Sequence, residues 1–388
     1  MNFERRQYAC GVVCLFTDHT HNAPNKYSLS EVLPGNDFEF ALIYFSKNNY
    51  KPTEIITLMQ TSAPELRYAA CTTAGEVTPF GLVAGEMMII LFPKEHFQFE
   101  YCHLACPEGP SMQDVISRVA TMKDKITAQH DPESDQTIFA VCLLDGMSYM
   151  EEAITAALHW GLDEIPLLGG SAGDEMDFQE TTLILNSEIL DSRAIVLMIK
   201  SNLPTEIFKT ENFVPRSEKL VVTRSDPDKR IVHELNGGPA AEIYAEVIGV
   251  DVDSLTSQSF ASHPLGVRVG GEYYCRSIQK VNDDKSLTFF CAIDDGIVLT
   301  VAEPTGMART TQDKLENIKE SIGEIDFVMG FDCVLRRIDA RNRQITHKIS
   351  QIYQDNHVIG FNTYGEQYRS MHLNQTLTGV VFGIQKNN

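Results

Sequence analysis

The chain has 388 residues, 43% of them hydrophobic, and 53 acidic against 32 basic side chains give a formal net charge of −21. This length exceeds the roughly 250–300 residues at which a single core stops growing, so two domains are expected. The negative charge argues against binding nucleic acid or an anionic membrane surface, because both attract basic patches. No segment reaches the ~20 apolar residues of a membrane span. Nine cysteines scattered through apolar runs indicate reduced thiols and a cytoplasmic protein.

The first 36 residues form an extension with one candidate strand, Val12–Phe16. Beyond it, His19 and His21 suggest a metal site, but no third ligand follows at a useful spacing. The sequence therefore favours exposed loop histidines here.

Strands and helices alternate over residues 37–235, which predicts an α/β domain with a mixed sheet. Ser148 and Glu151 are expected to form a capping box, and Pro93-Lys94 is expected to turn between two adjacent strands. Helices are predicted after Pro52 and Ser111 and from Ser148 to Gly161. The predicted strands are Phe38–Phe45, Leu66–Thr72, Glu86–Phe92, Phe97–Leu104, Thr137–Leu144, Thr181–Leu185 and Ala194–Ile199.

Asn236-Gly237-Gly238-Pro239 marks the expected boundary of a second domain, residues 236–385. Its hairpin-like spacing predicts an α+β domain with a mostly antiparallel sheet. One helix is expected from Ile338 to Ile352. The chain is expected to close with two strands, Val358–Thr363 and Met371–Phe382, and no internal repeat is recognised.

Four stretches of this sequence resemble one family. GFNTYGEQ and MHLNQTLTG, within residues 357–383, resemble the end of the C-terminal FIST domain, and CTTAGEVTPFG (71–81) and GGSAGDEMDF (169–178) resemble two loops of the N-terminal FIST domain. FIST domains are sensory modules of bacterial and archaeal signalling proteins. The resemblance implies a sensor without catalytic turnover, acting in two-component or cyclic-di-GMP circuits.

Catalytic and phosphate-binding alternatives find little support in the residues. The glycine loop at 169–174 lacks the Lys-Ser/Thr of a P-loop, and no helix signal follows it directly. The chain also lacks a G-x-S-x-G elbow, an H-E-x-x-H pair and cysteine pairs at zinc spacing.

Within the family, the ending MHLNQT and the apparent lack of a fused output domain resemble the haem-bearing, nitric-oxide-sensing members. That resemblance implies haem b as cofactor, nitric oxide as ligand and a histidine kinase as partner, and a homodimer is one compatible assembly. A haem sensor usually holds its iron through one imidazole. The leading candidate is His372, which shares a polar strand face with Asn374; the others are His263, which Pro264 holds extended, His347, which lies opposite an apolar helix stripe, and then His103.

The alternative is a cofactor-free module that binds an amino acid or another small ligand. Its polar contacts would come from Glu366, Gln367, Asn374 and Gln375. The sequence leaves both hypotheses open.

Overall fold

The computed structural model describes residues 1–17, 26–33, 37–105, 112–128, 136–191, 193–269 and 271–385, without the side chain of Glu272. The loop histidines His19 and His21 and the predicted helix cap Ser111 lie outside these residues.

The helices are Leu29–Val32 (α1), Pro52–Ser62 (α2), Met112–Thr127 (α3), Glu151–Leu162 (α4), Ala240–Ile248 (α5), Ser257–Ser262 (α6), Met307–Ile322 (α7), Val334–Asn342 (α8) and Thr346–Asp355 (α9). Strands before residue 202 are Glu4–Gln7 (β1), Val13–Phe16 (β2), Phe38–Phe45 (β3), Arg67–Thr72 (β4), Glu76–Thr78 (β5), Gly81–Val83 (β6), Met87–Pro93 (β7), Phe97–Ala105 (β8), Thr137–Leu144 (β9), Leu167–Ser171 (β10), Leu183–Leu185 (β11), Glu188–Leu190 (β12) and Arg193–Ser201 (β13). Later strands are Thr205–Glu211 (β14), Phe213–Asp226 (β15), Ile231–Leu235 (β16), Gly238–Pro239 (β17), Leu265–Val269 (β18), Glu272–Arg276 (β19), Ile278–Val281 (β20), Leu287–Phe289 (β21), Val298–Pro304 (β22), Ile325–Cys333 (β23), Val358–Thr363 (β24), Glu366–Tyr368 (β25), Met371–Leu373 (β26) and Thr376–Gly383 (β27).

In the described part of the chain, three segments repeat one order of elements, which the sequence analysis did not recognise. Each has a first strand, a second strand, a helical connection, a third strand parallel to the second, a short hairpin and a returning antiparallel strand. The segments are repeat 1 (β2 to β7), repeat 2 (β8 to β13) and repeat 3 (β14, then β23 to β27). The last strand of each repeat pairs with the earlier of its two parallel strands: β7 pairs with β3, β13 with β9 and β27 with β23.

Each repeat gives its hairpin to the sheet of another repeat. The first core sheet has the order β1-β2-β7-β3-β4-β11-β12, so it ends in the hairpin of repeat 2. The second core sheet, β26-β25-β10-β9-β13-β8, receives the hairpin of repeat 3, and the third, β14-β27-β23-β24-β5-β6, receives that of repeat 1. The exchange is cyclic, so the three core sheets are completed only together.

The core sheets face one another across a shared apolar core and carry helices on their outer faces. Phe40, Phe139 and Phe327 are each the third residue of a central strand, β3, β9 and β23, and are fully buried in this core. Alternate residues of β3, such as Ala41 and Ile43, instead pack under α1 and α2. Burial on both faces explains why β3 and β9 are continuous apolar runs, as the sequence predicted.

A separate antiparallel sheet is inserted into repeat 3 between β14 and α7. This capping sheet has the order β19-β18-β22-β15-β16-β21-β20, with β17 beside β16, and packs against α5 and α6. Mixed sheets in the N-terminal part and antiparallel pairing in the C-terminal part confirm the predicted fold class.

Several local predictions were wrong. Strands β7 and β8 are not neighbours, because Pro93-Lys94 carries the chain from the first core sheet to the second. Ser148 does not cap α4, since its hydroxyl donates to the carbonyl oxygen of Asp145 at 2.7 Å. The helix expected over 338–352 is interrupted between α8 and α9, where Gln344 has a φ of 58°.

The closing stretch also differs from the prediction. Tyr364-Gly365 is followed by another strand, β25, and the expected strand Met371–Phe382 is divided into β26 and β27. The division falls at Gln375, whose φ of 61° ends a strand conformation.

No helix of the described residues is both long and apolar enough to cross a lipid bilayer.

Candidate functional site

The carboxyl end of each second parallel strand carries the pattern hydroxyl, any residue, glycine, acid. The three copies are Thr73-Ala74-Gly75-Glu76, Ser171-Ala172-Gly173-Asp174 and Thr363-Tyr364-Gly365-Glu366. We call them the motif loops.

Backbone hydrogen bonds join the motif loops to one another. The amide of Ala74 donates to the carbonyl oxygen of Asn362 at 2.9 Å, and that of Tyr364 donates to Ser171 at 3.0 Å. The ring closes where Gly173 donates to Thr72 at 3.2 Å. Glycine is required at Gly173 because an added Cβ would lie 2.7 Å from the Cβ and backbone nitrogen of Ala74.

The acids of the first and third motif loops are buried and bonded to their own loops. Thr73 Oγ1 lies 2.5 Å from Glu76 Oε1, and the amide of Glu86 donates to Glu76 Oε2 at 3.1 Å. Glu366 likewise meets the hydroxyl of Thr363 and, at 2.6 Å, that of Thr376. Burial raises the pKa of both carboxyl groups to about 8, against the lowering effect of the hydroxyls.

The acid of the second motif loop is ionised. Burial alone would raise the pKa of Asp174, but hydrogen bonds from the Tyr364 hydroxyl and from the amides of Gln179 and Glu180 lower it, as does Lys47. The Lys47 Nζ lies 3.0 Å from Asp174 Oδ2. Asp174 therefore holds side chains of the other two repeats through a charge-assisted network.

The capping sheet covers this end of the core. We call the interface the seam, and its residues are Glu151, Glu152, Gln367, His372, Asn374 and Gln375 on the core side and Arg230, Ala261, Arg276, Ser277, Phe290 and Ala292 on the capping side. Aromatic contacts continue it, since Tyr364 lies 4.9 Å from Phe178 and 6.1 Å from Phe290 between ring centroids.

One buried ion-pair cluster fixes an edge of the seam. Arg230 donates to both Glu151 and Glu152, the latter at 2.8 Å, and to the carbonyl oxygen of Phe290 at 2.6 Å. Glu152 in turn accepts from the amide of Ala292 at 3.1 Å. Removing one partner of such a pair leaves an uncompensated buried charge.

Away from this cluster, the contacts across the seam are polar, and their hydrogen bonds are long. Asn374 Oδ1 accepts from the Ser277 amide at 3.4 Å, Gln375 Nε2 donates to Ala261 at 3.3 Å, and Arg276 donates to the carbonyl oxygen of His372 at 3.2 Å. Among the described residues, Gln367 Oε1 and Gln375 Oε1 are buried and meet no hydrogen-bond partner. His372 Nε2 is also buried and makes no hydrogen bond of normal geometry with any of these residues, although the Phe290 backbone lies close enough to the ring to raise its pKa. Unpaired polar atoms are uncommon in native interiors, so this group requires an explanation.

The protonation of His372 follows from its surroundings. The side chain is 4% exposed, and burial lowers the pKa of the imidazole to about 4, although Glu152 opposes the shift. The ring is therefore neutral near pH 7. Because Nδ1 faces the Gln367 amide nitrogen, a donor, at 3.4 Å, Nδ1 is the acceptor and Nε2 carries the hydrogen.

The structure places the remaining predicted histidines elsewhere. His263 is partly buried after α6, with Nδ1 3.3 Å from the carbonyl oxygen of Ser259. His347 is exposed on α9 at the outer face of repeat 3, and His103 lies on edge strand β8 with Nδ1 3.3 Å from Arg193. Of the small-ligand candidates, Gln367 and Asn374 lie beside His372, and Gln375 contacts Ala261 across the seam. The carboxyl group of Glu366 instead bonds to Thr363 and Thr376 and does not join them.

The surroundings of His372 do not fit a haem. Amide side chains border the ring, and an added Cβ on Gly365 would lie 2.3 Å from His372 Cε1, so backbone packs against the ring edge. A bound porphyrin instead needs a broad apolar slot beside its ligand.

Two family models match the chain in succession. The FIST N domain matches residues 39–238, and the FIST C domain matches residues 240–369. The chain belongs to the FIST family. It is therefore a sensory protein of signal transduction. A comparison with curated proteins found no match.

Sequence reasoning missed Arg230, Arg276 and the ionised Asp174. Arg230 and Arg276 reach the seam only because the inserted capping sheet folds back over the core. The signal that could have indicated the arrangement is the recurrence of hydroxyl, any residue, glycine, acid after three apolar strands.

Replacing Glu366 by Gln retains the shape of a protonated acid and removes its titration. In the native protein, stability falls as pH rises from the ordinary pKa of 4.5 to about 8, because only the folded state keeps the proton. The free energy of unfolding of variant E366Q should therefore fall less steeply with pH across this window, by up to about 1.4 kcal/mol per pH unit. Urea unfolding between about pH 5 and pH 8 measures the slope. E320Q, at an exposed position, is the control, and equal slopes for E366Q and the native protein would contradict the assignment.

Proposed function

We propose that this FIST protein senses a small polar ligand of the amino-acid type, which binds in the seam between the core and the capping sheet. The observation that supports it is the pair of unpaired buried Oε1 atoms of Gln367 and Gln375, beside the weakly bonded imidazole of His372. A ligand that entered the seam would complete hydrogen bonds that the protein leaves unmade.

The chemistry of these atoms suggests the ligand class. The two glutamine Oε1 atoms accept hydrogen bonds, as an ammonium group requires. The Nε2–H of neutral His372 and the guanidinium of Arg276 donate, as a carboxylate requires. Arg276 donates only to carbonyl oxygens within the described residues, at 3.2 and 3.4 Å. An α-amino acid carries both complementary groups within a few bonds.

The competing proposal is haem b held by His372 and reporting nitric oxide. The polar surroundings of His372 favour the amino-acid hypothesis, and one set of measurements separates the two. Calorimetry with the free amino acids should show a binder, and Gln367→Leu and Gln375→Leu should each weaken its binding at least about tenfold, the effect of leaving polar groups unpaired. Gln351→Leu, at an exposed position of α9, is the matched control.

The same preparations should be titrated with hemin. We expect no Soret band that depends on His372, with His263→Ala and His347→Ala as comparisons for His372→Ala. A Soret band lost only in His372→Ala, with no amino acid bound by the native protein, would overturn the amino-acid proposal in favour of haem.

We further propose that the ligand signal passes to a histidine kinase through a protein surface. A net charge of −21 is unsuited to DNA but suits a less acidic protein partner. A ligand that changes the affinity for one kinase state by about 1–3 kcal/mol would change the response about 5- to 150-fold. The autophosphorylation rate of a kinase encoded beside the sensor should depend on the bound ligand. Equal rates with the liganded and free sensor would exclude this coupling.

A further inference from the structure

A cavity lies where the chain passes from the core into the capping sheet. The chain enters that sheet at Asn212 and returns at Thr305, whose amide donates to the carbonyl oxygen of Asn212 at 2.8 Å. Beside these two crossings is a cavity of about 440 Å³, within the range of small-molecule sites. Lys209 and Glu211 of β14 form its core wall, and β15, β18, β19 and β22 supply the rest.

The cavity has space at its centre because Gly266 carries no side chain. Gly266 of β18 stands opposite Cys275 of β19 and Thr300 of β22, so the three residues form one row across the sheet. All three line the cavity. An added Cβ on Gly266 would meet no atom closer than 3.6 Å, so the space at the centre of the row is free.

The walls are mainly apolar and carry no net formal charge. Phe213 and Tyr273 supply aromatic rings, and Pro215 and Ala302 supply aliphatic surface. The ionised groups in the lining, Lys209 and Glu211, pair with each other at 2.6 Å.

The remaining groups are neutral or outside the lining. Burial raises the pKa of Cys275 to about 12, so this thiol is uncharged. Arg268 lies near the cavity, with its guanidinium carbon 6.0 Å from the Tyr273 ring centroid, but is exposed to solvent.

We propose that this cavity is a second binding site, for a small, uncharged aromatic molecule with one hydrogen-bonding group. The rings of Phe213 and Tyr273 suit a flat apolar body, and the Thr300 hydroxyl suits one polar atom. A charged ligand would have to compete with the Lys209–Glu211 pair for its counter-charge. The molecule would contact both the core and the capping sheet, and would reach the seam through β19, where Arg276 follows Cys275 and donates to His372.

Indole is the probe, measured by calorimetry and by ligand-observed saturation-transfer NMR on the full chain. We expect one indole per chain. Indole-3-acetate and tryptamine, which add a negative and a positive charge to the same ring, should each bind at least about tenfold more weakly. Gly266→Val should occupy the centre of the cavity and weaken indole binding at least about tenfold, and Gly266→Ala should weaken it less.

One control separates this cavity from other sites. Val298→Ala, at an exposed position on the same sheet, should bind indole as the native protein does. If Gly266→Val fails to fold, Gly266→Ala decides, since its methyl group meets only ordinary contacts. Three results would overturn the proposal. They are no indole binding at millimolar concentration, unchanged binding in Gly266→Ala and every folded Gly266 variant, and tighter binding of either charged analogue.

Discussion

The exchange of hairpins among the three repeats is the constraint on which the rest of this structure depends. Each core sheet gains its last two strands from another repeat, so none is complete until all three are assembled. The exchange brings the three motif loops to one end of the core, where Gly173 packs against Ala74 and Tyr364 bonds to Ser171. The strand ends at which α/β proteins commonly bind ligands are thereby gathered at one place.

The capping sheet covers the end of the core that carries the motif loops. The bonding in the seam between them differs from that in the core. The core is stabilised by hydrogen bonds between neighbouring strands and by buried acids that accept hydrogen bonds from nearby hydroxyl groups. The seam combines one strong cluster, around Arg230, with long hydrogen bonds and unpaired atoms around His372. Around His372 few good hydrogen bonds oppose the opening of this interface, whereas the Arg230 cluster and the packing of Ala261 and Phe290 against Tyr364 must separate when it opens. A sensor requires two states of this kind that a ligand can distinguish.

The sequence predicted the local elements better than their assembly. Strands β3 and β9 could be predicted from the sequence, because a strand that is buried on both faces is a nearly continuous run of apolar residues. The division at Gln375 was missed because a single residue with positive φ leaves no periodic signal. The repeats were missed because their likeness lies in element order and in four-residue motifs. His372, Gln367 and Gln375 were identified as polar residues of the closing strands. Arg276, the partner of His372, comes from almost 100 positions earlier, a separation that sequence patterns do not span.

The central claim is that the seam opens as a unit while the core stays folded, and amide hydrogen exchange followed by mass spectrometry tests it without knowledge of the ligand. Peptides with Ser277 and Ala292, whose amides bond to core side chains, should exchange through an opening well below the free energy of global unfolding. Peptides from β9 and β23 should exchange only on global unfolding. Seam and core peptides that exchange together, with one opening free energy, would contradict the account.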